Sequence, residues 1–133
     1  MGFNNFVTGR EYMNAKRILV VDDDEAIRDL LEMFLEENDC KVVTEGSAEN
    51  AMAIVRHEEF DLILLDIMLG EISGMELLKH FKKISPQVPV IMITGNCDIQ
   101  LAEKCLLEGA NDYISKPFDL GYLRDSVLAS LLA

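Results

Sequence analysis

Four short apolar runs in this chain each lead into residues that can do chemistry. ILVV leads into Asp22 and Asp23, LILL into Asp66, VIMI into Thr94, and DYIS into Lys116. Open α/β sheets bind ligands at the carboxyl ends of their parallel strands. Carboxylates gathered there repel one another unless a cation or a proton intervenes. Mg²⁺ suits such a cluster, because it takes oxygen ligands, keeps several waters and often combines one or two carboxylates with a phosphate. A hydroxyl and an ammonium beside it would hold the oxygens of a phosphoryl group. Taken singly the residues have plainer explanations. Aspartate near a helix start complements the helix dipole, which accounts for Asp24 but not for Asp66, since Ile67 to Leu69 carry no helix start. Thr94 alone is an ordinary strand-end threonine, although Gly95 leaves space beside its hydroxyl. Lys116 alone is a surface lysine, although Pro117 forces it toward extended backbone and opens a cis bond to it.

These groups can meet only if the runs are neighbouring parallel strands. Predicted strands at Arg17–Val21, Lys41–Thr44, Asp61–Leu65, Val88–Ile93 and Asp112–Ser115 alternate with helical patterns. Such alternation specifies βαβ units and a sheet covered on both faces. The first predicted helix carries Ile27, Leu30, Leu31, Phe34 and Leu35 at helical spacing. The second starts near Ser47 and buries Ala51, Ile54 and Val55, and the third opens on the capping-box spacing of Ser73 and Glu76. The fourth runs from Asp98 to Gly109, and the fifth starts at Asp119 with Leu120, Leu123, Val127 and Leu131 as its buried stripe. The predicted fold is α/β: a (βα)5, flavodoxin-like three-layer sandwich with sheet order 2-1-3-4-5, which sets the first and third strands side by side. Residues 1–15 lack periodicity and are read as an N-terminal tail, ordered at most by Phe3, Phe6 or Tyr12; residues 16–133 are the domain.

The chain has 133 residues, half of them hydrophobic, enough for one core and one domain. Its net charge of −12 argues against direct binding to nucleic acid or an anionic membrane, since both call for a cationic face. No apolar run approaches the roughly 20 residues of a membrane helix. Cys40, Cys97 and Cys105 have no metal-ligand spacing, and with no secretory signal they fit a reducing cytoplasm.

ILVVDDDEAIRDLL, DLILLDIML with SGMELL, PVIMITG and GANDYISKPF resemble the hallmark segments of the response-regulator receiver domain of two-component signalling, in order and at the right separations. The likeness runs from about Lys16 to the C-terminus. It implies that Asp66 is the phosphoacceptor, taking a phosphoryl group from a histidine of a sensor histidine kinase or phosphotransfer protein. It implies Mg²⁺ held by Asp23, Asp66 and the backbone carbonyl of Met68, with Asp22 acting through metal-bound water. Thr94 and Lys116 would hold phosphoryl oxygens, and Thr94 and Tyr113 would form the switch. Output would pass through the fourth helix, fifth strand and fifth helix to a downstream effector, an output domain or a second copy of the chain. Leu101, Cys105, Leu106 and Tyr122 are the apolar residues expected to be exposed or half-exposed there. The chemistry would be limited to self-phosphorylation and self-dephosphorylation, without turnover of an external substrate.

The chain departs from the pattern at Gly70, where members commonly carry proline, and at Gly95, where alanine is frequent. Gly70 and Glu71 should make the following loop more mobile and more acidic. Met68 and Asn96 occupy the variable positions that govern water access to a phosphoaspartate. Two other readings compete. A phosphatase of the haloacid-dehalogenase type would use the spacing of Asp22 and Asp24, but its late acidic motif is replaced here by Ser115-Lys116-Pro117. A receiver-like interaction module that is never phosphorylated would be expected to lack one of the five site residues.

Overall fold

The computed structural model describes residues 9–70, 72–95 and 99–133. A short helix α1 (Gly9–Met13) precedes β1 (Arg17–Val21), α2 (Glu25–Glu37), β2 (Lys41–Glu45), α3 (Ala48–His57) and β3 (Leu62–Asp66). A small ribbon of β4 (Met68–Leu69) and β5 (Ile72–Ser73) follows. Then come α4 (Gly74–Ile84), β6 (Val90–Thr94), α5 (Ile99–Leu107), β7 (Asp112–Ser115) and α6 (Leu120–Leu132). The main sheet is parallel with the order β2-β1-β3-β6-β7. This is the 2-1-3-4-5 order of the five predicted strands.

Side chains alternate across the sheet. Leu19, Val21, Ile63, Leu65, Val90 and Met92 pack with α3, α4 and α5 on one face. Ile18, Val20, Leu62, Leu64, Ile91 and Ile93 pack with α2 and α6 on the other. Strands apolar on both sides must be covered twice, and this chain supplies helices for both faces. The helices start where the capping chemistry requires. Asp24, Ser47, Ser73 and Asp119 each accept a backbone N–H of the following first turn. Gly109, just past α5, has a φ of +108°, the left-handed backbone expected of a glycine there.

Three local expectations need correction. Residues 9–13 form α1, and its anchor is the fully buried Met13, whereas Tyr12 is exposed. Phe3 and Phe6 lie outside the described residues. Leu120 was expected in the buried stripe of α6 but is 42% exposed. The buried positions are Leu123, Ser126, Val127 and Ser130, because Asp112 on β7 recruits Ser126 Oγ into a 2.5 Å hydrogen bond and turns that face inward. Cys105, on α5, is fully buried in the core rather than half-exposed, while Leu106 and Tyr122 are exposed and Leu101 is half-buried. Beyond Asp66, β4 and β5 pair across the loop, with Gly70 at a φ of +68° in the turn.

Candidate functional site

The carboxyl ends of β1, β3, β6 and β7 meet at one edge of the sheet. Val21 pairs with Leu65, Asp66 with Ile93, and Thr94 with Ser115, so Asp22, Asp66, Thr94 and Lys116 emerge at one level. Carboxylate oxygens of Asp22, Asp23 and Asp66 lie within 4.8 Å of one another. Asp22 and Asp66 are 0% and 3% exposed, whereas Asp23 faces solvent. Two of the acids are therefore fixed within the sheet edge and the third is open to an incoming ligand.

Local hydrogen bonds hold each group. Asp22 N–H donates to Glu45 O at 3.1 Å, and Asp22 Oδ1 accepts Asp24 N–H at 2.9 Å. Asp66 Oδ1 accepts Met68 N–H at 3.0 Å. Beneath this loop, Gly74 N–H donates to Ile67 O at 2.6 Å, and a Cβ on Gly74 would lie 2.1 Å from Asp66 O. Only glycine allows α4 to start so close to the backbone of Asp66. Lys116, joined to Pro117 by a cis bond, is tied to β6 by its N–H to Thr94 O at 2.8 Å. Its Nζ reaches Asp66 Oδ2 at 3.2 Å and Asp22 Oδ2 at 2.9 Å. The second approach pairs the ammonium with the fully buried Asp22 carboxylate.

The electrostatics follow from burial. Loss of solvation pushes the Asp66 carboxyl up to about 6, and the neighbouring Asp22 charge adds to this against the lowering pull of Met68 N–H and Lys116. Burial also disfavours the Lys116 ammonium, but its contacts with Asp22 and then Asp66 outweigh that and raise it. Three carboxylates and one ammonium leave two negative charges uncompensated among these four side chains, the charge a divalent cation carries. With a buried Asp22 carboxylate, a buried Asp66 carboxylate and an exposed carboxylate on Asp23 drawn together, the donor set fits Mg²⁺, an oxygen-seeking ion.

The other predicted site residues sit around this centre. Thr94 is buried at the end of β6, and a Cβ on the adjacent Gly95 would meet nothing within 4 Å. Tyr113, on β7 opposite Met92, is half-buried against the core on the α4–α5 side. Met68 is exposed beside the acids, and Asn96 lies outside the described residues. Asp24, the second acid of the phosphatase spacing, instead caps α2 by accepting Ala26 N–H. Sequence reasoning did not single out Arg28, whose Nη1 donates to Asp22 O at 2.7 Å. Its only signal is an arginine in the first turns of a helix that follows an acidic strand end.

Comparison with known proteins agrees with this geometry. A family model described as the response regulator receiver domain matches residues 18–128. Response regulator protein PilR of Pseudomonas aeruginosa is 36% identical over 90% of this chain and 27% of its own length. The heme response regulator HssR of Staphylococcus saprophyticus is 34% identical over 85% of this chain and 50% of its own. The chain thus spans between a quarter and a half of these two relatives. A CheY-like receiver domain protein from Methanospirillum hungatei superposes with a TM-score of 0.84 at 36% identity, covering 89% of this chain and 94% of that one. The receiver domain of NtrX from Brucella abortus gives 0.84 and 36%, covering 87% and 98%. Among the described residues no helix is long and apolar enough to cross a membrane. A strand-end acid cluster bridged by a lysine, on a parallel sheet of this order and with these relatives, makes the chain a member of the response regulator receiver domain family of two-component signalling.

Proposed function

We propose that this receiver accepts a phosphoryl group on Asp66, with Mg²⁺, from a histidine of a sensor kinase or phosphotransfer protein. The observation that supports it most is the Asp66 carboxylate, buried at the strand edge, paired with Lys116 and facing Asp22 and the exposed Asp23. A carboxylate oxygen of Asp66 attacks phosphorus, and the P–N bond to the donor imidazole breaks with its electron pair left on nitrogen. The new bond is an acyl phosphate. Lys116 stands where it can neutralise a phosphoryl oxygen as its contact with Asp66 loosens, and the Thr94 hydroxyl can donate to another. Asp23, Asp66 and the Met68 carbonyl would hold Mg²⁺, with Asp22 acting through water, and the ion would offset the charge gathered on the phosphoryl oxygens. No external substrate is turned over.

Output would pass through α5, β7 and α6. Movement of Thr94 toward a phosphoryl oxygen opens space that Tyr113 can fill, exchanging two packings of this face. Exposed Leu106 and Tyr122 lie on its helices and suit an effector, an output domain or a second copy. The acidic chain itself would contact neither nucleic acid nor membrane, and would act in the cytoplasm. We assign residues 16–133 to the receiver unit, with Met13 of the preceding segment docked into its core.

Incubation with acetyl phosphate and Mg²⁺ should add one phosphoryl group. Labelling should fail in Asp66→Asn and on chelation. Equal labelling of Asp66→Asn would overturn the assignment. A beryllofluoride mimic should shift amides of Tyr113 and α5; changes confined to the loops around Asp23 and Asp66 would remove the switch.

A further inference from the structure

Arg28 and Gly46 form a seat that the chemistry above leaves without a role. Arg28 lies on the second turn of α2 and reaches back over the end of β1, where its Nη1 donates to Asp22 O at 2.7 Å. That oxygen belongs to the peptide joining Asp22 to Asp23. The bond therefore fixes the plane between two of the three clustered carboxylates. The other bonds of this turn, from Asp22 N–H to Glu45 O and from Asp24 N–H to Asp22 Oδ1, engage the flanking peptides instead.

Gly46, just past β2, makes room for the guanidinium. A Cβ there would lie 2.8 Å from Arg28 Nη1 and 3.2 Å from its Cζ. None of the ion pairs among the described residues involves Arg28, although the chain carries 24 acidic residues. Its charge is directed at a backbone carbonyl beside the acid cluster rather than at a carboxylate. Groups one shell outside a metal orient its ligands, and their loss typically costs about 10- to 100-fold in affinity.

We propose that Arg28 is a positioning residue for the cation site, presetting the Asp22–Asp23 peptide, and that position 46 is small in order to admit it. This rests on the Mg²⁺ reading above. The test is Mg²⁺ titration of the full chain by calorimetry, with melting temperatures recorded with and without the ion. Arg28→Met keeps the aliphatic stem and removes the donors, and it should weaken Mg²⁺ binding by about 10-fold or more. Gly46→Ala leaves the arginine in place but displaces its head, and should weaken binding in the same direction. Arg28→Lys, which keeps a cation and one donor, should fall between Arg28→Met and wild type. A purely structural role would lower the metal-free melting temperature and leave the affinity unchanged. Wild-type affinity in both Arg28→Met and Gly46→Ala would overturn the proposal. If Arg28→Met does not fold, Gly46→Ala decides alone. Failure of the wild-type chain to bind Mg²⁺ would instead remove the cation reading itself, and the positioning role with it.

Discussion

Replacing Asp66 by Asn should make the metal-free protein more stable, by an amount that depends on pH. Burial pushes this carboxyl from 3.8 up to about 6 in the fold. A carboxylate whose folded pKa is raised costs stability wherever it is ionised in both states, and the cost fades as pH falls through the folded value. The separation of about two pH units corresponds to about 3 kcal/mol when both states are ionised, at about pH 7.5. The same linkage leaves about 2 kcal/mol at about pH 5, where the folded carboxyl is largely protonated. Asn keeps the acceptor for Met68 N–H, and the Lys116 attraction for the ionised carboxylate is already contained in the folded value of about 6, so it is not counted again in the comparison. The stability advantage of Asp66→Asn should therefore shrink by roughly 1 kcal/mol between about pH 7.5 and about pH 5. Urea denaturation of both proteins in chelator at the two pH values measures it directly. Saturating Mg²⁺ should abolish the contrast, because a cation favours the ionised form. An advantage that stays constant to within about 0.3 kcal/mol in chelator would refute the claim that burial, rather than Lys116, governs this carboxylate.

Removing the ammonium with Lys116→Met leaves two buried carboxylates facing each other; it should destabilise the metal-free fold by about 3 kcal/mol, with Mg²⁺ recovering part of the loss in the same denaturation assay. Gly74→Ala places a Cβ 2.1 Å from Asp66 O and 2.7 Å from Ile67 Cα, both backbone atoms. That should cost about 3 kcal/mol, the upper end of overpacking penalties, and should slow labelling by acetyl phosphate because the loop carrying Asp66 must move. Met13→Ala should cost about 3 kcal/mol in urea denaturation, as for any fully buried methionine, with no change in Mg²⁺ affinity.

The main sheet was legible because each central strand is a continuous apolar run, and the helix starts were legible because Asp24, Ser47, Ser73 and Asp119 announce them. The strand ends were shifted: Asp66 and Thr94 are the last residues of β3 and β6 rather than the first beyond them. Apolarity marks where a strand is buried, but backbone pairing with Ile93 and Ser115 continues one residue further. The acids could be gathered on paper from strand order alone. Their unequal burial could not, since Asp22 and Asp23 are chemically identical neighbours and only the fold turns one inward. Helix α1 was invisible because five residues carry no period and its anchor is a single methionine. The ribbon of β4 and β5 was invisible because each strand is two residues long. Leu120 was read as buried because hydrophobicity ranks leucine inward, and Ser126 went unnoticed because its partner lies on another element, at Asp112.

The burial of Ser126 bears on how α6 is held. Of the four buried residues on α6, two are serines, so this helix meets the core through Leu123 and Val127, flanked by half-buried Leu128 and Leu131, together with a directional hydroxyl contact. Packed methylenes resist sliding gradually, whereas a single short hydrogen bond holds firmly and then releases over a fraction of an ångström. Helix α6 is thus fastened to β7 in part by a contact that depends on direction as well as proximity. Its exposed Tyr122 hydroxyl also reaches Asp112, so a partner that grips this tyrosine pulls on the same latch that fastens the helix.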